Sequence, residues 1–483
     1  MSIFNILANA APIIYNLFGY YLIVNRSNIM QRERLGSRLG FILLSAACAI
    51  GLGNVWKFPY MCGQYGGGFF VIIYLFFLVV LGIPILTSEF AMGRAAQKSP
   101  VKFYQELEPK GSKWHLHGYA AMAGNYLLMM FYAVVAGWVI KYFISTAKGQ
   151  FVGLSADEIA GAFGGFVSDP LQMVIYTAIV VALGFFICSF SLEKGLERIT
   201  KYMMIALLVL MLVLAGHSLT LDGAKEGMSF YLKPDLAKLK ACGIGNVVVG
   251  AMSQAFFTLG LGVGSMAIFG SYLDKERSLL GESINVVLLD TFVAIVAGII
   301  IFPACFTHGV EVNSGPPLIF ITLPNIFANM PLGKLWGSLF FLFMAFAALS
   351  TVLAVFENIV ACSMDAFNWT RRKACVVNFF AMLVLTMPCA LGFNVLAGFE
   401  PFGSGTNVLD LEDFILSNLL LPLGAFMFVV FCTSKKAWGW KNFTEEANAG
   451  KGIKVKPWLR IYMSYVLPVI VVILFVVGLI NFF

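Results

Sequence analysis

RLGFILLSAACAIGLGNVWKFPYMCG, residues Arg38–Gly63, is a membrane-length apolar run whose weakest helical point lies at its centre. About 20 apolar residues in helical form cross a bilayer core. Lipid offers the backbone no hydrogen-bond partner, so a spanning segment is a helix unless strands close into a barrel. Runs of this length are too long for barrel strands. Yet Gly51-Leu52-Gly53-Asn54 occupies the middle, and each Gly costs about 1 kcal/mol against Ala in a helix interior. The run therefore reads as two half-helices joined by an unwound turn. SQAFFTLGLGVGSMAIFGSY, Ser253–Tyr272, repeats the feature with Gly260, Gly262 and Gly264 at its centre.

Outward from these two runs the chain is apolar nearly throughout. Hydrophobic residues make up 60% of the 483 and charged residues 12%, about half the charged share of a soluble globular chain. The net charge of +7 is accordingly read as membrane topology and not as a nucleic-acid surface. Eleven hydrophobic segments follow residue 38, at roughly 39–62, 68–92, 118–146, 170–190, 200–218, 243–271, 284–306, 336–366, 375–395, 411–432 and 459–482. The loops between them alternate in charge. The stretches 26–38, 94–117, 191–201, 272–283, 369–374 and 434–460 hold 24 of the 32 Lys and Arg, and the opposite loops hold six. Basic loops stay on the cytoplasmic side, which puts residues 26–38 inside and the C-terminus outside, in a bacterial-type inner membrane. Residues 1–29 form an uncertain apolar extension. They lack the basic n-region of a signal peptide and read either as an extra span with the N-terminus outside or, the reading preferred because the basic Gln31–Arg38 follows at once, as an upstream extension before a natural start at Met30.

Most of the nine Cys lie in apolar runs without a Cys-x-x-Cys or Cys/His cluster, so they read as small buried hydrophobes. His115 and His117 fall in a basic loop and are expected to be solvated. Charged residues within spans are costly. Glu89 and Asp290 lie deep and are expected to serve a network or a function, whereas Glu357 has no assigned role. Lys141, Asp365 and Asp413 are close enough to span ends to reach water.

The two Gly-interrupted spans stand about 210 residues and five helices apart. Matching breaks an odd number of helices apart fit an inverted repeat, with the second copy upside down. Such breaks expose carbonyl oxygens that can hold a cation, and half-helix N-termini that can hold a carboxylate. Close packing through small residues is the competing explanation. A nucleotide loop is excluded, because neither run has the Lys-Ser/Thr or the strand context of a P-loop.

From about Arg32 onward the chain resembles the neurotransmitter:sodium symporter family. The resemblance is carried by RLGFILLSAACAIGLGNVWKFPYMCGQYGGGFF with GIPILTSEFAMGR after it, and by SLEKGLERITKYMM, QAFFTLGLGVG and ALSTVLAVFENIVACSMDAF. It implies an all-α membrane protein with the LeuT-type five-plus-five inverted repeat and broken first and sixth helices. Residues 30–220 and 221–435 would be the two repeats, and 436–483 a cytoplasmic loop and eleventh helix. The family's chemistry implies import of an amino acid, with two Na⁺ as co-substrates and the lipid bilayer as surroundings. No nucleic-acid partner and no enzyme activity are implied, and nothing in the sequence sets an oligomeric state.

Carried over residue by residue, the resemblance implies a first Na⁺ site from the Ala49 carbonyl, Asn54, Thr258 and Asp290 with the substrate carboxylate. The second would use carbonyls of Ala47, Ile50 and Ala347 with the hydroxyls of Ser350 and Thr351. Without the resemblance, Ser350 and Thr351 read as hydroxyls bonded back to the preceding helical turn. Asp290 departs from LeuT, a family member with Asn there and a Glu one turn later, where this chain has Ala294. A fixed carboxylate at Asp290 would supply the charge that chloride brings to other relatives, so chloride-independent transport is expected.

Gly51 replaces the Asp of the family's monoamine carriers and leaves room for an amino-acid carboxylate near Gly51 and Gly53, with Tyr132 meeting it. Leu128, Phe257, Gly260, Val263, Thr351 and Val355 would line the side-chain pocket. Gly260 and Val263 stand where LeuT has Ser and Phe, so a wider pocket for a large hydrophobic or aromatic amino acid is expected. Lys57 and Asp413 resemble the outer gating pair. Arg32 and Asp365, with Tyr272 near, resemble the inner pair. Ile205 stands where many members have a Pro ten residues after the Gly equivalent to Gly195, so the helix unwinding that Pro favours is not implied here. Other classes remain to be weighed: a proton-coupled carrier, a non-transporting sensor, a channel, and a membrane enzyme, for which no catalytic set is visible.

Overall fold

Ser37 sets the start of the first helix, its hydroxyl accepting the Gly40 N–H at 3.0 Å, as an N-cap does. Helix α1a (Arg38–Ala49) stops at Ile50, where ψ of 102° takes the backbone out of the helical region. Helix α1b (Gly53–Gln64) resumes at 57° to it. Gly66 and Gly67 then turn the chain with φ of 82° and 84°, values that L side chains rarely adopt. The computed structural model describes residues 34–310 and 318–480. The N-terminal extension 1–29 and the gating residue Arg32 lie outside them.

The remaining apolar runs form α2 (Gly68–Ala96), α3 (His115–Ala147), α4 (Pro170–Cys188), α5 (Gly195–Ser218), α7 (Leu279–Thr307), α8 (Gly333–Phe367), α9 (Arg371–Leu391), α10 (Val408–Thr433) and α11 (Leu459–Ile480). Between α5 and α7 the sixth run is broken into α6a (Ile244–Thr258) and α6b (Ser265–Gly270). With α1a and α1b, and with α6a and α6b, each taken as one span, the eleven elements coincide with the eleven apolar runs to within several residues. The starts of α5 and α7 come five residues earlier than expected, and α9 is offset by four residues at both ends, starting at Arg371 where the Thr370 hydroxyl caps it. Short helices Pro100–Leu107, Ala156–Val167, Ala224–Leu232, Leu236–Cys242, Leu323–Asn329 and Gly439–Ala447 fill the connections. Leu236–Cys242 meets α6a at 89°. No strand occurs among the described residues.

Burial ranks the helices. The most apolar stretch of α8 is 78% buried and that of α7 67%, against 28% for α11 and 33% for α5. α8 is therefore a central post, and α5 and α11 present side chains such as Tyr202, Val209, Tyr465 and Val469 outward. α5 is a continuous helix through Ile205. Its irregularity lies earlier, in the wide π turn Leu192–Glu197.

The end with the Lys/Arg-rich loops is tied together by charge. Arg94, 1% exposed, meets the Glu446 carboxylate at 2.6 Å and the Arg277 carbonyl at 2.6 Å. The Glu197 carboxylate accepts the Gly36 N–H and the Ser37 hydroxyl at 2.7 and 2.9 Å. Arg38 reaches Glu282 at 2.9 Å. The expectation of solvated histidines is corrected here: His115 Nδ1 lies 2.7 Å from Glu108, and His117 Nδ1 2.7 Å from the Tyr104 hydroxyl. Both open α3 and brace the loop before it. Seven of the nine Cys are buried.

Candidate functional site

The break in α1 leaves carbonyls without helical partners. Thr351, midway along α8, points its Oγ1 at three backbone carbonyls: Ala47 at 3.1 Å, Ile50 at 3.0 Å and Ala347 at 3.3 Å. Ser350 Oγ also lies 3.0 Å from the Ala347 carbonyl. A hydroxyl carries one proton, so Thr351 can satisfy one of these acceptors fully. The cluster is richer in oxygens than in protons, which is the electrostatic condition for holding a cation. The back-bonding expected of Ser and Thr is present at Ala347, but Thr351 also reaches across to α1.

A second oxygen cluster lies on the other side of α1. Asn54 donates Nδ2 to the Asp290 carboxylate at 2.8 Å and accepts the Gly51 N–H at 3.1 Å. Thr258, at the end of α6a, lies 3.3 Å from the other Asp290 oxygen. Asp290, Asn54 and Ser350 have no exposed surface, and Thr258 has 3%. A buried carboxylate without a full positive partner is costly, and here two neutral groups are its neighbours. Ala294, one turn along α7, is buried and supplies no second carboxylate.

Between the clusters is a cavity lined by Ala49, Gly51, Gly53, Leu128, Tyr132, Phe257, Thr258, Gly260, Val263, Thr351 and Val355. All eleven residues assigned from the sequence to the substrate therefore meet at one cavity. Four more were not foreseen: Cys48, Ser265, Leu416 and Leu421. Leu416 and Leu421 come from α10, whose role gives no local sequence signal. Gly51 is required by space, since a Cβ there would lie 2.5 Å from the Tyr132 hydroxyl and 2.7 Å from Thr351 Oγ1. The Tyr132 hydroxyl in turn accepts the Leu52 N–H at 3.1 Å. At Gly260 a Cβ would meet nothing within 4 Å, so the cavity is open on that side.

The α6 break is held from three directions. Glu89, fully buried on α2, accepts the Gly262 N–H at 2.7 Å. Asn125 on α3 donates to the Val263 carbonyl at 2.9 Å. The backbone of α10 also presses against it: a Cβ on Gly262 would strike the Leu421 carbonyl, and one on Gly424 would strike the Gly262 carbonyl. Glu89 thus acts in a network, as its depth implied.

The residues expected to form the gates are partly brought together. Lys57 and Asp413 face one cavity with Phe257 and Ser417, but they do not form an ion pair. The Lys57 ammonium lies 3.6 Å over the Phe257 ring, and Asp413 accepts the Ser417 hydroxyl at 2.7 Å. The Asp365 carboxylate accepts the Ser99 N–H at 2.7 Å. Tyr272 donates to Glu357 at 2.7 Å. Glu357, left without a role by the sequence, takes both arms of Arg371 at 2.7 and 2.8 Å, which joins α8 to the start of α9.

Comparison with known proteins agrees with this geometry. The family model described as the sodium:neurotransmitter symporter family matches residues 32–153 and 166–483. A sodium-dependent transporter of Bacillus subtilis, YhdH, is 34% identical over 92% of this chain and 98% of its own length. A sodium-dependent transporter of Haemophilus influenzae is 31% identical over 94% of this chain and 99% of its own. A crystal structure of MhsT in complex with L-phenylalanine superposes with a TM-score of 0.82 at 37% identity, covering 93% of this chain and 100% of MhsT. The chain belongs to the sodium:neurotransmitter symporter family, as a multi-pass, sodium-dependent membrane symporter of LeuT-type fold that is not an enzyme.

Proposed function

We propose that this chain imports a large hydrophobic or aromatic amino acid, driven by two Na⁺ ions and without chloride. The observation that carries the reading is the single cavity between two oxygen clusters, walled by both helix breaks. The substrate carboxylate would lie beside Gly51, Gly53 and Tyr132, where the absent Cβ leaves room. It would complete a first Na⁺ site made by the Ala49 carbonyl, Asn54, Thr258 and Asp290, so ion and substrate bind as one unit. The second Na⁺ would lie among the carbonyls of Ala47, Ile50 and Ala347, with the Thr351 hydroxyl turning its proton away to ligate through oxygen and Ser350 as a further ligand.

The open space where a Gly260 Cβ would stand supports a large side chain, and the likeness to a relative crystallised with L-phenylalanine supports an aromatic occupant. The buried Asp290 carboxylate supports chloride independence. Residues 30–220 and 221–435 would be the two inverted repeats, and the basic loops would face the cytoplasm of a bacterial-type cell. Lys57 and Asp413 would pair when the outer cavity closes over Phe257. Arg32 and Asp365 would serve the opposite end beside Tyr272.

The test is uptake of radiolabelled Trp, Tyr, Phe, Leu and Ala into proteoliposomes under an inward Na⁺ gradient, repeated with K⁺ or choline at constant pH. Saturable uptake that needs Na⁺ and favours the large side chains is expected. Uptake that ignores Na⁺ and follows a pH gradient would overturn the coupling.

A further inference from the structure

Ser265 and Cys48 line the cavity but belong to a polar layer behind it. Asn125 commits both amide protons, to the Ala121 carbonyl at 2.8 Å and the Val263 carbonyl at 2.9 Å, so its Oδ1 is an acceptor. The Ser265 hydroxyl donates to that oxygen at 2.9 Å, and Asn358 Nδ2 approaches it at 3.3 Å. A serine hydroxyl has one proton and two lone pairs. With its proton given to Asn125, Ser265 keeps two lone pairs free to accept, and it lines the cavity. Behind it, Asn358 Oδ1 is buried without a hydrogen-bond partner among the described residues, and the Cys48 thiol adjoins both Ser265 and Asn358. The cavity is therefore apolar along Leu128, Val263 and Val355, and at this wall it bears the Ser265 oxygen, whose neighbouring Cys48 S–H is a weak donor only.

We infer that Ser265 is a specificity-determining residue that favours amino acids whose aromatic ring carries an N–H or O–H donor, tyrosine and tryptophan, over equally large rings without one. The inference rests on the amino-acid reading above. A site that can hydrogen-bond a substrate proton discriminates against the analogue lacking it. One neutral hydrogen bond, offset by desolvation of the ring's donor, predicts roughly a three- to tenfold preference.

The experiment is competition against Na⁺-driven uptake of labelled Leu in proteoliposomes. Tyr is compared with para-methylphenylalanine, which has nearly the same shape and no donor. In the unaltered protein Tyr should compete roughly three- to tenfold better. The ratio should fall to about one in Ser265→Ala and persist in Ser265→Thr, which keeps the hydroxyl. Equal competition by the two ligands in the unaltered protein would overturn the inference, even if Ser265→Ala fails to fold. So would a preference that survives Ser265→Ala. If no aromatic amino acid competes at all, the substrate reading fails along with it, and the two failures are told apart by that result.

Discussion

Gly51→Ala places a methyl group 2.5 Å from the Tyr132 hydroxyl and 2.7 Å from Thr351 Oγ1. Ordinary carbon–oxygen contact begins near 3.4 Å, so the hydroxyls must retreat by about 0.9 and 0.7 Å if the backbone holds. Tyr132 is a rigid ring fixed in α3, and its hydroxyl bonds the Leu52 N–H at 3.1 Å; a retreat of that size takes it out of hydrogen-bond range. Thr351 can turn only by leaving the carbonyls of Ala47 and Ile50. Overpacking of this kind costs about 1–3 kcal/mol, or roughly 5- to 150-fold in an equilibrium constant. Both the substrate KM and the Na⁺ concentration for half-maximal uptake should therefore rise, measured by initial-rate uptake in proteoliposomes at varied Na⁺. Gly260→Ala is the contrast. Its methyl meets nothing within 4 Å, although φ of 56° strains an alanine. It should narrow the cavity and penalise Trp more than Leu. Gly51→Ala with unchanged KM and unchanged Na⁺ dependence would refute the placement of both hydroxyls against the break.

Thr351→Val keeps the shape and removes the hydroxyl oxygen that faces three carbonyls, so half-maximal Na⁺ should rise roughly 5- to 150-fold at one ligand's worth of about 1–3 kcal/mol. An unchanged Na⁺ titration would count against the second ion site. Replacing chloride with gluconate should leave uptake unchanged if Asp290 supplies the negative charge at the first ion site; a collapse of uptake would refute that role. Glu357→Ala leaves Arg371 without its carboxylate at a nearly buried position, where breaking such a pair costs about 3–5 kcal/mol. Glu357→Gln breaks the same pair but keeps an acceptor for Tyr272, so both variants should lower the Tm in detergent, Glu357→Ala the more; a Glu357→Gln Tm equal to that of the unaltered protein would show that the ion pair adds little.

The two breaks were readable because Gly51–Asn54 and Gly260–Gly264 violate helix chemistry in the middle of otherwise strong helical runs, and the violation is local. The cavity residues followed from the breaks and from the family resemblance. What escaped was set by angles between helices. Glu357 and Arg371 are 14 residues apart on two helices joined at Asn368, whose φ of 54° directs α9 back toward α8. No linear pattern encodes that direction. Asn125 and Ser265 are 140 residues apart, and each alone resembles an ordinary polar residue on a packed helix. Nor does the sequence show that Lys57 and Asp413 face one cavity without pairing. With space remaining there, the Lys57 ammonium rests on the Phe257 ring instead.

The mutual contact of Gly262 and Gly424 also constrains how this protein can change over generations. Each would-be side chain runs into the other residue's backbone or its immediate neighbour. Loss of one glycine therefore cannot be rescued by trimming the other, which is already as small as a residue can be. Adaptation to a new substrate must leave these two positions untouched and work through neighbours whose side chains can shrink or grow, such as Val263, Val355 and Leu421. The backbone at the seam between the break and α10 is thus fixed, and the side chains that line the cavity beside it are the part free to diverge.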